Sequence, residues 1–192
     1  MARPRSEDKR NAILTAATQV FADRGLGAAT QAISSAAGVA EGTLFTYFKT
    51  KDDLVNALYR EIKLELADVM MSGFPRKKSV RTRMQHIWNA YVTWGVANPP
   101  QRKVLALLEV SDKLTRESRQ AGAAPFVEVP AIAEDAFAQH IFQDDLSFEF
   151  IGGIIRALAD TTMDFMTFHP KTANKYRESG FEVLWAGITK KR

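Results

Sequence analysis

The chain has 192 residues, 46% apolar and 25% charged, enough for one or two compact domains with a real core. Twelve Phe, four Tyr and three Trp exclude a disordered chain, and the absence of Cys excludes disulfides, thiolate zinc sites, iron–sulfur clusters and cysteine nucleophiles. The formal charge of +4 is too small to establish a nucleic-acid partner by itself. It is uneven: 7 basic and 6 acidic residues over 1–55, 12 and 6 over 56–120, and 7 and 10 over 121–192. The start, Met1 to Arg10, is basic and polar with no apolar h-region, so no signal peptide is read and a cytoplasmic protein is expected. No apolar run approaches the roughly 18 residues that span a bilayer, and no membrane partner is expected.

The periodicity is helical throughout. Ile13, Leu14, Ala17, Val20 and Phe21 share one face of a helix of about eighteen residues. Ser6 is its N-cap, Glu7 and Asp8 suit its first turn, and Gly25 and Gly27 end it. A short helix capped by Thr30 follows, with Ile33, Ala36 and Ala37 inward, broken at Gly38. A third helix runs from about Glu41 to Phe48. Thr50 caps a long fourth helix, with Asp53 placed as the acidic end of a capping-box pattern. Leu54, Leu58, Ile62, Leu66 and Val69 form its stripe, widened by Val55, Tyr59 and Met70, and it ends near Gly73 and Pro75.

Arg76-Lys77-Lys78 reads as a solvated linker. A helix from about Ser79 to Ala97 carries Met84, Ile87, Trp88, Tyr91 and Trp94. Asn98-Pro99-Pro100 is a break, and Lys103 to Lys113 is again helical. The Ala/Gly/Pro-rich stretch Gln120 to Pro130 reads as a loop entering a helix that holds Ile132, Phe137, Ile141 and Phe142. Two strong helices finish the chain, from about Ser147 to Phe168 and Thr172 to Thr189. The first is apolar over most of its circumference, so it must be buried on two sides; a second subunit supplies the other side.

The segment Ser34 to Phe48, S-S-A-A-G-V-A-E-G-T-L-F-T-Y-F, has the logic of a helix-turn-helix. Small Ala36 and Ala37 allow close approach, Gly38 takes positive φ in the turn, and Val39, Leu44 and Phe48 face the core. Glu41, Gly42, Thr43, Phe45, Thr46 and Tyr47 are left outward or at the edge, where a major groove lies.

The stretch from about Arg10 to Leu58 resembles the DNA-binding domain of the TetR family. The matching residues are I-L-x-A-A-x-x-x-F at Ile13 to Phe21, Gly25, Thr30, Ile33, A-G-V at Ala37 to Val39, G-T-L-F at Gly42 to Phe45, Tyr47-Phe48, and K-x-x-L at Lys51 to Leu54. Within the family the chain is most similar to RamR-type multidrug-sensing repressors, on M-A-R-P at the start, A-G-V-A-E-G-T-L-F, S-D-K-L-T and T-T-M-D-F. The resemblance implies an all-α fold of about nine helices. Residues 1–52 are expected to form a three-helix DNA-binding domain, and 53–192 a helical ligand-binding and dimerisation domain.

It also implies roles for single positions. Thr30 and nearby amides bind a phosphate, as do the Tyr47 hydroxyl and the Lys51 charge. Gly42 and Thr43 lie at the base-facing end of the recognition helix with Thr46 one turn on, where a Thr hydrogen-bonds a base edge or packs on thymine. Arg3 and Arg5 reach the backbone or a minor groove. Three departures stand out: Phe45 where the family more often has Tyr, Ala40 in place of a capping Ser, and Ser34 in place of Ala. Tyr47 also reads as a half-buried aromatic, and Glu41 as a solvated or cap-related carboxylate rather than a base reader.

The implied effector pocket lies beside the fourth helix, with Tyr59, Ile62 and Leu66, then Trp88, Tyr91 and Trp94, and with Phe137 and Ile155; the plain alternative is that these are core residues. Aromatic walls and an acidic last third suit a flat or amphipathic cation, with neutral and anionic ligands left open. His86, His140 and His169 are far apart and form no metal pair. Adjacent carboxylates at Glu134-Asp135 and Asp144-Asp145 point apart, and no phosphate-binding or nucleophile-elbow motif occurs. No metal, cofactor or catalytic residue is expected. The reading is a homodimeric repressor on a palindromic double-stranded DNA operator, released by a small hydrophobic or amphipathic effector and controlling efflux or stress genes. The alternative is a DNA-binding regulator under a protein partner or without an effector.

Overall fold

The computed structural model describes residues 7–190. In chain order its α-helices are α1 (Glu7–Arg24), α2 (Thr30–Ala36), α3 (Glu41–Tyr47), α4 (Lys51–Met71), α5 (Val80–Ala97), α6 (Pro99–Glu109), α7 (Arg116–Ala123), α8 (Glu128–Ala138), α9 (Phe148–Phe168) and α10 (Ala173–Ile188). Among the described residues there is no strand, and the ten helices exceed by one the nine expected. They form two compact units. One comprises the chain up to Glu65 with Asn98–Ala124; the other comprises Leu66–Ala97 with the chain from Pro125 on.

In the first unit α1 buries Ile13, Ala17 and Phe21 completely. It ends at Gly25, whose φ of 75° is the left-handed conformation that terminates a helix at low cost for glycine. The expected cap, Ser6, lies outside the described residues. The turn between α2 and α3 closes at Gly38, φ 65°, with the Val39 N–H donating to the Ser34 carbonyl at 3.0 Å. One expectation is corrected here. Ala36 faces out, and Ser34 is buried instead, its hydroxyl returned to the Gln31 carbonyl at 3.0 Å. At about 100° per residue, a face centred between Ile33 and Ser34 takes in position 37 and turns 36 away by roughly 110°.

The start of α4 is a reciprocal capping box. The Asp53 N–H donates to the Thr50 hydroxyl and the Thr50 N–H to the Asp53 carboxylate, both at 3.0 Å. Thr50→Ala is expected to cost about 1 kcal/mol in thermal unfolding. Thr50→Ala with Asp53→Ala should cost less than the sum of the two single changes, because each removes half of one motif; full additivity would refute the reciprocity.

Two further expectations change in this unit. The expected break falls at Asn98, between α5 and α6, but the next helix starts earlier than Lys103: Pro99 and Pro100 open α6 from its first turn, where their missing N–H groups have no intrahelical role. The expected loop from Gln120 to Pro130 is largely helical, with the end of α7, a 3-10 turn at Ala124–Phe126 and the start of α8. Its small residues serve contact rather than flexibility: a Cβ on Gly122 would sit 2.6 Å from the Tyr59 ring. Pro130, the third residue of α8, falls in the second unit and is tolerated there for the same reason as Pro99.

The second unit is built on α5, α8, α9 and α10. Val80, Met84, Trp88 and Val92 of α5 meet Ile151, Ala159, Met163 and Met166 of α9 and Phe181, Leu184 and Ile188 of α10 in one apolar core. Ser147 caps α9, accepting from the Phe150 N–H at 3.2 Å. The Glu149 carboxyl is held below its ordinary range by its own backbone N–H and the Ser147 hydroxyl. α8 stops at Ala138, so Ile141 and Phe142 lie beyond it; Phe142 pairs with Thr189 in an isolated antiparallel bridge. Val69, expected in the α4 stripe, is exposed. No helix among the described residues is long and apolar enough to cross a membrane.

Candidate functional site

The exposed side of α3 is the first candidate surface. Leu44 is fully buried and Phe48 nearly so, which anchors the helix from within. Glu41, Gly42, Phe45 and Thr46 are then exposed, with Thr43 and Tyr47 half-buried at the edges. The Thr46 hydroxyl donates to the Gly42 carbonyl at 3.0 Å, leaving its oxygen free to accept. Thr30 is not the α2 cap; that position is Ala29, and Thr30 is the first helical residue. Its hydroxyl donates to the Glu41 carboxylate at 2.7 Å, tying the start of α2 to the start of α3. Glu41 is therefore engaged within the head. Lys51 lies at the start of α4 with its ammonium 5.8 Å from the centre of the Phe21 ring, a cation–π distance. Arg3 and Arg5 lie outside the described residues.

Behind α3 the same unit holds a clamp that the sequence reading missed. Asn56, 5% exposed, donates from Nδ2 to the Asp52 carbonyl at 2.8 Å and the Lys113 carbonyl at 2.9 Å. Its Oδ1 accepts from the Thr115 N–H at 2.9 Å. Beside it Arg60 donates to the Ser118 hydroxyl at 2.5 Å. The first half of α4 is thus fixed to the turn between α6 and α7. The sequence signal was a lone amide in the otherwise apolar run from Leu54 to Tyr59.

The second candidate site is an apolar cavity of about 230 Å³ wholly within the second unit. Trp88 and Tyr91 of α5, Ile132 of α8, Phe142, and Ile151 and Ile155 of α9 form its walls; Phe148 and Gly152 also line it. No Asp, Glu, Lys, Arg or His is among its lining residues. The Trp88 indole is fixed by donating to the Arg177 carbonyl at 2.9 Å.

Of the eight positions expected at a pocket, Trp88, Tyr91 and Ile155 line this one. Tyr59 and Ile62 fall in the other unit. Tyr59 packs there beside Gly122, and burial, with the Glu109 charge, raises its hydroxyl above the ordinary range against an opposing Arg119. Leu66 and Trp94 are buried but do not line the cavity, and Phe137 packs edge-on to Phe142 at 5.3 Å from the outside. The missed lining residues come mainly from α8 and α9, where periodicity alone does not tell a core face from a cavity wall. Among the described residues no cluster of three or more His, Asp or Glu is placed to hold a metal.

Residues 13–58 match the family model for bacterial regulatory proteins of the tetR family. The whole chain is similar to solved structures of such proteins. A candidate tetR family transcription regulator from Shewanella sp. PV-4 is 25% identical with a TM-score of 0.83, over 97% of this chain and 100% of that one. A TetR family transcription regulator from Marinobacter aquaeolei VT8 is 17% identical with a TM-score of 0.84, over 96% and 97%. The transcriptional regulator FadR from Bacillus subtilis, solved in complex with stearoyl-CoA, is 21% identical with a TM-score of 0.69, over 93% and 99%. The helix-turn-helix at the N-terminus thus carries the match to the tetR family model, and the all-helical fold that follows it is shared with solved tetR family regulators.

Proposed function

We propose that the protein is a ligand-responsive, DNA-binding transcriptional repressor that works as a homodimer and leaves a palindromic operator when a small hydrophobic molecule binds. The observation that carries this reading is a firmly anchored α3 with an exposed outer side, joined in one chain to an apolar cavity. In this reading Gly42, Thr43, Phe45 and Thr46 meet base edges in the major groove. Thr30, Tyr47 and Lys51 meet phosphates, and Arg3 and Arg5 follow the flanking backbone or minor groove. The functional division at 52/53 separates DNA contact from sensing and dimerisation, whatever the boundaries of the packed units.

Dimerisation is supported by aromatic residues left open on α9, with Phe150 and Phe168 at 59% and 76% exposure, and by Val183 on α10. Apolar side chains of this size exposed on two neighbouring helices suit a four-helix interface with a second copy. The similar FadR is solved with stearoyl-CoA, a ligand with a long apolar acyl chain on a charged head, so the fold can take an apolar tail. Control of efflux or stress genes, as in RamR-type repressors, is part of the proposal and rests on the sequence likeness.

The test is fluorescence anisotropy on labelled DNA from around the protein's own gene. Tight, palindrome-dependent binding is expected, and its absence across a genome-wide operator search would overturn the reading. Tyr47→Phe and Lys51→Ala should each weaken binding to all sequences alike, with Lys51→Ala lowering the salt slope by about 1. Unchanged affinity in either variant would remove that residue from the phosphate contacts.

A further inference from the structure

We propose that the effector of this protein is an uncharged, largely apolar molecule and that Gly152 is the position that admits it. This rests on the proposed ligand-responsive function and gives it a substrate class. A charge taken into a cavity lined by Trp88, Tyr91, Ile132, Ile151 and Ile155 would lose its hydration with no partner to replace it.

Three carboxylates on the helices that line it are already engaged. Glu128 accepts from Arg76 at 2.6 Å, and Asp135 from Arg83 at 2.6 Å. Glu149 is held by its own helix N-terminus and Ser147. None of these three, and no residue lining the cavity, offers a counter-ion to a cation within it, so the expectation of an amphipathic cation from aromatic walls and an acidic last third does not carry over to this cavity. The indole donor of its wall is spent as well, since the Trp88 N–H is given to the Arg177 carbonyl. At about 230 Å³ the space lies below the roughly 300–1,000 Å³ of drug-sized sites. It suits a small ring system or a short aliphatic chain.

Gly152 lines the cavity from α9, and a Cβ built there meets nothing within 4 Å. It is exposed at the edge of the cavity and its backbone is helical, so a Cβ is accepted without a clash and a longer side chain there would crowd the opening. The neighbouring Gly153 is also open to a Cβ but does not line the cavity.

The experiment compares three ligands with one tail, 1-octanol, octanoate and octyltrimethylammonium, by tryptophan fluorescence and by release of labelled DNA from the full-length protein. Octanol is expected to bind at least about tenfold more tightly than either charged analogue. Gly152→Leu should weaken octanol binding at least about tenfold and Gly152→Ala less, both without a loss of thermal stability because glycine is a poor helix former. Gly153→Ala should leave octanol binding unchanged. Equal binding of the cation or anion, binding of none of the three, or full octanol affinity in Gly152→Leu overturns the proposal. Failure of the unliganded protein to bind any operator would count instead against the repressor reading.

Discussion

Gly180→Ala is expected to destabilise the protein by about 2–3 kcal/mol, although alanine is the better helix former by about 1 kcal/mol. A Cβ at this position of α10 would lie 2.5 Å from Thr162 Oγ1 and 2.8 Å from the Trp88 ring. Neither neighbour can easily yield. The Thr162 side chain is β-branched and its hydroxyl donates to the Leu158 carbonyl at 2.7 Å. Trp88 is held by its bond to the Arg177 carbonyl, one turn before Gly180. The strain must then part α10 from α9 and α5, and it also disturbs a wall of the apolar cavity. Gly187→Ala is the control on the same helix: its Cβ meets nothing within 4 Å, so it should be neutral or stabilising by up to about 1 kcal/mol. At matched protein concentration, thermal unfolding should show a fall of roughly 4–10 °C for the first and none for the second. Equal melting temperatures would mean that α9 and α10 are not as close as described.

Asn56→Ala is expected to cost about 2–3 kcal/mol by a different route. It removes no large apolar surface but strands the Lys113 carbonyl and the Thr115 N–H. A backbone group left without its partner costs about 1–3 kcal/mol when buried and less where water reaches it. Asn56→Asp keeps the shape and should be at least as damaging near pH 7, because it replaces the two Nδ2 donations with carboxylate oxygens facing carbonyls. Both variants should speed proteolysis between α6 and α7, around residues 110–115. A Tm within 2 °C of the parent and unchanged proteolysis would show that the clamp contributes little.

The helix-turn-helix was legible because its determinants are local. A capping Thr50, a turn glycine at position 38 and inward Leu44 and Phe48 act within a few residues of one another, and period and spacing suffice to place them. The long helices α5, α9 and α10 were legible for the same reason, through strong periodic apolar faces. The stretch from Asn98 to Pro130 was not. The break at Asn98 was read, but Pro99 and Pro130 sit in the first turns of helices and Gly122 lets Tyr59 approach. Thr30 was given a cap, but its hydroxyl went to Glu41, eleven positions away.

The chain's order of residues was therefore enough for the helical class and the recognition segment, since these follow from capping, periodicity and spacing along a short length, and for that segment's likeness to the tetR family model. It could not decide which of many buried aromatics border empty space. Trp88 lines the cavity while Trp94, one and a half turns on, is ordinary core. Tyr59 and Ile62, on an equally apolar stripe, fall in the other unit. A cavity is the volume left after several helices have packed, so its walls and its lack of charge depend on contacts far apart in the chain. The same is true of Gly152 and Gly180: both read as small residues in a helix, and only their surroundings make one a doorway and the other a point of closest approach.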